Sequence, residues 1–340
     1  MNGNQRIHAA LAGQRVDRVP VMLINFMMAA REHGLTMAQY RHEPEHIAAA
    51  LYQSVERYEL DGIYVDVDTA TLAEAVGVPV DFPETEPARV VGGCLVSLAE
   101  VDDLAPVDIA RHPRVQVWLE AVRLLVARTR GEILVRGNCD QCPFSLASMM
   151  RTPEAWLMDL TDPDQHERAD RLLAYCADVT TQFLRLMAQT GCHLLSNGDS
   201  PAGPDMISPA MYRRFALPWE KQVVASAHEA GLPYVLHICG NTSLICDDMV
   251  ATGADGLEID YKTDMRLARD TIHSRAAFFG NLDPSGVMAL GSPELVACKT
   301  RELLTVFADT PRFVLNSGCA IPATAPSENI RAMIRTAREF

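Results

Sequence analysis

The sequence lacks the features of exported, membrane-bound and nucleic-acid-binding proteins. No apolar run reaches the 18 residues of a membrane-spanning helix, and residues 1–20 carry no apolar segment of a signal peptide. Basic residues form no run in a chain whose formal net charge is −14, so neither nucleic acid nor an anionic membrane surface is an expected partner. We therefore expect a cytoplasmic protein.

Two further absences limit the classes of protein to which the chain could belong. The sequence contains no P-loop, no GxSxG motif and no GxGxxG motif after a strand, which are signatures of NTPases, α/β-hydrolases and dinucleotide-binding enzymes. It also has no cysteine framework, because its nine cysteines are odd in number and scattered. Without an export signal, such cysteines are typical of reduced thiols, some of them metal ligands, rather than of disulfides.

Eight short apolar or β-branched runs are present, and helical patterns separate most of them. Eight alternating units in a chain of 340 residues predict a (β/α)₈ TIM barrel of the α/β class, folded as a single domain over 1–340. A doubly wound sheet is the alternative, since strand order cannot be read from the sequence. The predicted strands are 19–25, 62–67, 133–138, 193–198, 233–238, 255–260, 276–281 and 312–317.

Additional elements and several helix ends are also signalled. Residues 1–18 predict a helical N-terminal cover, and the Pro- and Gly-rich stretch 78–97 predicts a β-hairpin insertion between strands two and three. Capping residues predict three helices: one from Ser208-Pro209 to Gly231, one from Thr161-Asp162-Pro163 to Gly191, and a final helix from about Pro326.

Polar residues cluster at the carboxyl ends of the predicted strands, where barrel enzymes build their sites. The most informative are His237 and Cys239, two residues apart and therefore on one face of the fifth strand, and Cys319, which follows the eighth strand. One imidazole and two thiolates predict a catalytic zinc site with an open fourth position. Glu258 or Asp260, at the end of the sixth strand, could fill that position or act only as a hydrogen-bonding carboxylate. The plainer interpretation of His237 and Cys239 is a core histidine beside a buried thiol.

The charge of this ligand set predicts its chemistry. Two thiolates and a neutral imidazole offset the two positive charges of zinc. A neutral site is a poor activator of water, but a thiol bound at the open position would lose its proton and become a nucleophile. The set therefore favours thiol alkylation over hydrolysis.

Four further residues are predicted to bind substrate because they lie at or beyond strand ends: Asn138, Cys142, Asp199 and Asn241. Asp199 belongs to an Asn-Gly-Asp-Ser stretch that could equally form an ordinary turn. Cys142 closes the motif Cys139-Asp140-Gln141-Cys142, which is compatible with a redox pair or half a zinc site, but lining of a pocket is the simpler interpretation.

Several sequence blocks resemble the uroporphyrinogen decarboxylase superfamily, and in particular its branch of cobamide-dependent methyltransferases. They include LHICGNT, GADGLEID, FFGNLDPSGVM and NSGCAIPATAPSENIRAM, and with DRVPV and CPFSLASMMR they extend over nearly the whole chain. The resemblance implies a (β/α)₈ barrel in which His237, Cys239 and Cys319 bind zinc. Three departures are visible: the segment NFMMAAREHG has only Arg31 where decarboxylases carry an Arg-rich stretch, Ala325-Pro326 replaces a usual Thr-Pro, and the CxxC motif at 139–142 is unexpected.

The resemblance implies a zinc-dependent methyltransferase that works with a separate corrinoid (cobalamin) protein. A small thiol acceptor, bound to zinc as thiolate, would attack the methyl group of methyl–Co(III) and leave Co(I). Glu258, Asp199 and Asn241 would position the reactants. The alternatives are a corrinoid-dependent demethylase that runs in the other direction, a decarboxylase-like lyase, and a non-catalytic barrel with a structural zinc. A homo-oligomer is compatible with the sequence.

Overall fold

Eight parallel strands form a barrel in the structure, which is a computed structural model describing residues 1–340. Each strand pairs with the next barrel strand along the chain, and a parallel bridge between Val21 and Leu315 joins the first strand to the last. The predicted barrel is confirmed and the doubly wound alternative is wrong. The strands are β1 (Met22–Leu23), β2 (Gly62–Val65), β3 (Val80–Asp81), β4 (Arg89–Val90), β5 (Leu134–Gln141), β6 (Leu194–Gly198), β7 (Tyr234–Ile238), β8 (Gly256–Ile259), β9 (Ala277–Leu282) and β10 (Phe313–Ser317), of which β3 and β4 lie outside the barrel.

Helices surround the barrel and connect its strands. None of the fifteen α-helices combines the length and apolar composition that crossing a membrane requires. They are α1 (Gly3–Leu11), α2 (Phe26–Glu32), α3 (Met37–His42), α4 (Pro44–Tyr58), α5 (Thr71–Ala75), α6 (Pro113–Thr129), α7 (Pro143–Arg151), α8 (Pro153–Thr161), α9 (His166–Ala188), α10 (Pro209–Met211), α11 (Leu217–Glu229), α12 (Cys246–Val250), α13 (Met265–Ile272), α14 (Pro293–Val306) and α15 (Ser327–Glu339).

Helix α1 covers the amino-terminal end of the barrel, as predicted. Asn2 and Gln5 form a capping box that starts the helix. Its apolar face packs against side chains from the beginnings of the strands, so this end of the barrel is filled with apolar groups. Gly62 permits the close approach, because a Cβ there would lie 2.7 Å from Cδ1 of Ile7 and from Sδ of Met22. The packed residues are Ile7, Ala10, Leu11, Met22, Leu134, Leu194, Val235, Ala277, Phe279 and Val314.

The predicted hairpin insertion is present as the antiparallel pair β3–β4. It is attached to helices α3 and α6 through Phe82, whose ring lies 5.9 Å from the guanidinium of Arg41 and 5.1 Å from that of Arg114. Arg41 also donates to the backbone carbonyls of Glu86, at 2.8 Å, and Pro83. Cation–π contacts and hydrogen bonds therefore hold the hairpin in place.

The three predicted helices are confirmed, although the one after Asp162 begins with a 3₁₀ turn at Pro163–Gln165 before α9. The helix after Ser208 runs through α10 and α11 to Glu229, but the segment Tyr212–Ala216 between them is a π-helical turn. Such a turn inserts one residue and rotates the side chains that follow it. Helix α15 begins at Ser327, after Pro326, with no side-chain cap.

Candidate metal centre

His237, Cys239 and Cys319 come together at the carboxyl end of the barrel. His237 lies on β7, Cys239 directly follows that strand, and Cys319 follows β10. Their ligand atoms all lie within 4.8 Å of one another. His237 Nε2 is 3.0 Å from Cys239 Sγ, and the two sulfur atoms are 3.7 Å apart. The structure thus assembles the three residues that the sequence singled out.

The spacing of these atoms fits a single tetrahedral ion. Usual zinc–sulfur and zinc–nitrogen bond lengths place two sulfur ligands about 3.8 Å apart, and a sulfur and a nitrogen about 3.5 Å apart. The sulfur pair agrees with this, and the nitrogen–sulfur pair is shorter by about half an ångström, which a small rotation of the imidazole would correct. One nitrogen and two sulfur donors are also the ligand types that zinc prefers.

A hydrogen bond fixes which imidazole nitrogen is available. His237 Nδ1 lies 3.0 Å from the backbone carbonyl of Glu258 on the neighbouring strand β8. Because a carbonyl can only accept, Nδ1 carries the hydrogen and Nε2 points its lone pair toward the sulfur atoms when the ring is neutral. Metal-binding histidines are commonly oriented in this way.

Without a metal, the three ligands share their protons unequally. Burial acts to lower the pKa of His237, but the neighbouring Cys239 thiolate raises it to about 9. The hydrogen bond from Cys319 lowers the pKa of Cys239 to about 3, although burial opposes this change. The same hydrogen bond, together with burial, raises the pKa of Cys319 far above its usual range. A divalent cation would therefore displace protons from His237 and Cys319 on binding.

The turn that follows Cys239 is shaped by Gly240 and Asp260. Gly240 has φ of +87°, a conformation that side chains disfavour, and its N–H donates to Asp260 Oδ2 at 2.9 Å. Asp260 Oδ1 accepts from the backbone N–H of Lys262 at 2.9 Å. Both oxygens of Asp260 thus stabilise loops, and Asp260 lies outside the group of three ligands.

Glu258 lies beneath the three ligands, inside the barrel. Its carboxylate accepts two hydrogen bonds from Arg136 on β5, at 2.9 and 3.0 Å, and one from Asn316 on β10 at 2.8 Å. Oε2 is 3.8 Å from His237 Nδ1. Glu258 therefore does not belong to the metal group in this geometry. A part for it in catalysis stays a prediction.

Asn138 lies on another wall of the barrel, beside Asp66 at the end of β2. Its Nδ2 donates to Asp66 Oδ1 at 2.9 Å, whereas its buried Oδ1 has no hydrogen-bond partner. Burial, followed by the charges of Asp68 and Asp140, raises the pKa of Asp66 to about 7.

Asp199, after β6, is fully buried in a network of its own. Its Oδ1 accepts from the backbone N–H and the hydroxyl of Ser145 at 2.8 and 2.6 Å. A second carboxyl, Glu220, interacts with Asp199 and accepts from the Tyr212 hydroxyl across the π-helical turn. Burial raises the pKa of Asp199 to about 6. The backbone N–H of Asp199 donates to the carbonyl of His237 at 2.8 Å, so this network supports the strand that carries a candidate metal ligand.

The other two predicted substrate-binding residues lie apart from each other. Asn241 is exposed, and its side chain accepts from the N–H of Ser243 at 3.1 Å in a local turn. Cys142 is completely buried, with its sulfur 3.6 Å from the hydroxyl of Tyr234. Cys139 is also buried, and both thiols are free. Substrate contacts of Asn241 and Cys142 stay predictions.

The sequence did not single out three residues that lie near the site: Arg136, Asn316 and Asp66. Arg136 had a visible signal, since it is a charged residue within an otherwise apolar predicted strand. Such a residue must either face solvent or pair inside the barrel, and the linear pattern does not decide between these. Asp66 and Asn316 are among the polar residues at strand ends, but nothing in their spacing distinguishes them.

Comparison with known proteins places the chain in a defined group. The family model described as uroporphyrinogen decarboxylase (URO-D) matches residues 2–340. The methylcobamide:CoM methyltransferase MtbA of Methanosarcina acetivorans is 26% identical over 340 residues, covering 99% of this chain and 97% of the relative. A uroporphyrinogen decarboxylase of Alkalilimnicola ehrlichii is 29% identical over 357 residues, covering 97% and 92%. A solved structure of a methyltransferase from Methanosarcina mazei has the same fold, with a TM-score of 0.91 at 22% identity and coverage of 100% and 99%.

Proposed function

The chain belongs to the uroporphyrinogen decarboxylase family, and within that family we propose that it is a zinc-dependent methyltransferase. It moves a methyl group between the cobalt of a corrinoid carried by a separate protein and a small thiol. In the direction toward the thiol, a carbon–sulfur bond forms, the cobalt–carbon bond breaks, and its electron pair stays on cobalt. The methylcobamide:CoM methyltransferase relative, aligned over nearly its whole length, supports this reaction class.

The observation that carries the proposal is the group of His237, Cys239 and Cys319 at the barrel mouth. Three ligands leave one tetrahedral position open, as in catalytic rather than structural zinc sites. Bound there, zinc would lower the pKa of an added thiol so that it is present as a nucleophilic thiolate at neutral pH. His237 is oriented for binding by the Glu258 carbonyl, and Asp260 holds the turn after Cys239.

The surroundings of the barrel mouth also favour methyl transfer over porphyrinogen decarboxylation. A polyanionic macrocycle would need cationic side chains in the cleft. The predicted position for such residues supplies only Arg31, which donates to the carbonyl of Ala325 at 3.0 Å. Arg136 is fully buried and committed to Glu258. These arrangements support a small substrate.

X-ray absorption at the zinc edge tests the proposal. Purified protein should contain about one zinc per chain with an N/S₂ first shell, and a thiol substrate should add one sulfur to that shell. Cys319→Ser should lose most of the metal and at least about 100-fold of the methyl transfer from methylcobalamin to the thiol. Cys298→Ser, which changes an exposed cysteine outside the metal group, is the matched control.

Three results would contradict the proposal. The first is purified protein that contains no zinc. The second is full metal content and full activity in Cys319→Ser. The third is a zinc coordination shell that no added thiol changes. Running the assay from a methylated thiol and Co(I) corrinoid measures the reverse direction and separates methyl acceptor from methyl donor.

A further inference from the structure

A second polar site, formed by Asp66 and Asn138, lines the barrel mouth on a different wall from the metal ligands. Tyr64, two residues before Asp66, packs at 4.3 Å on the guanidinium of Arg136, which itself lies two residues before Asn138. Because side chains two residues apart on a strand share a face, Asp66 and Asn138 point into the barrel one layer above Tyr64 and Arg136.

Two oxygen atoms of this site, one on Asp66 and one on Asn138, accept no hydrogen bond. Asp66 Oδ1 accepts from the N–H of Val67 at 3.0 Å and from Asn138 Nδ2, whereas its other oxygen makes no hydrogen bond. Asn138 is 5% exposed, and its Oδ1 is buried without a partner. The amide orientation is fixed, because only Nδ2 can donate to the carboxylate. A buried acceptor without a donor is costly, so a ligand that brings donors would bind here favourably.

Carboxyl groups outnumber cationic side chains around this site. The charged groups that most affect Asp66 are the carboxylates of Asp68 and Asp140. Arg136 uses Nη1 and Nη2 on Glu258 and Nε on Ser196, so its charge is already balanced. The other buried cations near this wall are also committed, Arg114 to Asp68 and Glu74, and Arg41 to carbonyls of the hairpin.

A chain of contacts connects this wall to the metal group. The side chain of Arg136 spans the barrel from β5 to Glu258 on β8, and the backbone carbonyl of Glu258 holds His237. Asn138 lies one layer above Arg136, and the metal ligands lie above Glu258. The side chains of Arg136 and Glu258 fill the layer below, so a ligand in the layer above them could contact both sides.

We propose that the thiol acceptor is a short aminothiol, whose sulfur binds at the metal group while its ammonium donates to Asp66 and Asn138. This inference rests on the proposed function and specifies the substrate class of the same site. An ammonium provides three donors for the unpaired acceptors and offsets the surrounding carboxylates. A thiol of the same length with a sulfonate would bring a second anion to a wall that already holds Asp66.

Three probe thiols of equal chain length test the proposal: 2-aminoethanethiol, 2-mercaptoethanol and 2-mercaptoethanesulfonate. Their dissociation constants are measured by calorimetry on the zinc-loaded protein, with each value corrected for the pKa of the free thiol. Zinc-edge absorption confirms a new zinc–sulfur contact in each case. The aminothiol should bind about ten- to a hundredfold more tightly than the sulfonate, with the alcohol between them.

Two variants locate the source of this preference. Asp66→Asn should reduce the preference for the aminothiol over the sulfonate to within about threefold, while zinc content stays unchanged. Glu84→Gln removes an exposed carboxylate on the hairpin and should leave the preference intact, which controls for the general effect of charge. If Asp66→Asn fails to fold, the order of the three dissociation constants on the native protein tests the aminothiol assignment.

The outcomes separate the two proposals. Equal or tighter binding of the sulfonate, or an unchanged preference in folded Asp66→Asn, overturns the aminothiol assignment but leaves the methyltransferase intact. Absence of a new zinc–sulfur contact with all three thiols overturns the proposed function, and with it this assignment.

Discussion

One residue, Asp140, should make the free energy of unfolding change with pH. It is fully buried, and its Oδ2 accepts from the N–H of Leu72 at 2.7 Å. Burial, followed by the charge of Asp68, raises its pKa from 3.8 to about 7. Between these values the folded state holds a proton that the unfolded state releases. The stability contributed by Asp140 is therefore present below about pH 3.8 and is lost as the pH rises to about 7.

Replacing Asp140 with Asn should remove this loss. The amide is neutral at every pH, keeps an acceptor for Leu72, and tolerates the residue's φ of 59°. Relative to the native protein, Asp140→Asn should gain about 2 kcal/mol of unfolding free energy between pH 5 and pH 8. Urea denaturation at both pH values measures this gain. The exposed control Asp164→Asn should show no such trend, and a gain that appears only toward low pH would contradict the assignment.

At the scale of secondary-structure elements, helix α1 is the one whose packing can be tested independently of the site. Ile7 is completely buried in the apolar layer at the amino-terminal end of the barrel. Ile7→Ala should lower the unfolding free energy by about 2–5 kcal/mol, because it leaves a cavity that the strand ends cannot fill. Leu290→Ala, at a side chain 83% exposed, should change it by less than about 0.5 kcal/mol.

The candidate metal centre lies at the opposite end of the barrel from Ile7. Zinc content and thiol binding of Ile7→Ala should therefore equal those of the native protein at temperatures where the variant is folded. Urea denaturation and metal analysis of the same preparations measure both properties. Loss of zinc from folded Ile7→Ala would show that the two ends are coupled.

The elements themselves were largely predictable from the sequence, because alternating apolar runs and capping residues are local signals. All eight predicted barrel strands exist, and β8 and β10 agree with their predicted bounds within a residue at each end. The first strand is shorter than predicted, because its ladder is limited to Met22–Leu23. Pro20, near the start of the predicted strand, has no N–H to donate to a neighbouring strand. Strand β5 is longer than predicted, since it continues through an irregularity after Asn138 that the apolar pattern does not signal.

The site was predictable only where its residues share local spacing. His237 and Cys239 could be paired because alternate residues of a strand share a face, and Cys319 because it follows another strand end. Glu220 lies on α11, after a π-helical turn that has no simple sequence signal, so its contact with Asp199 could not be read from the helical pattern. The pairing of Arg136 with Glu258 is set by opposite walls of a closed barrel, so distances along the chain do not reveal it.

For the whole molecule, we expect that folding does not depend on a metal bound at the candidate site. The main core comprises 89 buried apolar residues, whereas the three ligands lie at one rim. Protein stripped by a chelator should keep its far-ultraviolet circular dichroism, and its melting temperature should fall by about 10 °C or less. Added zinc should restore both melting temperature and thiol binding. Collapse of the fold on metal removal would instead favour the alternative of a structural zinc.

The cover formed by α1 has a kinetic consequence for a methyltransferase built on this barrel. Since apolar side chains fill the amino-terminal end, small molecules reach the metal group only through the mouth. A protein-bound methyl donor must approach through the same opening and would obstruct it. Turnover of the proposed reaction would then follow a compulsory order, in which the thiol enters before the corrinoid protein docks and the methylated product leaves after it departs. Excess corrinoid protein should accordingly inhibit competitively with respect to the thiol.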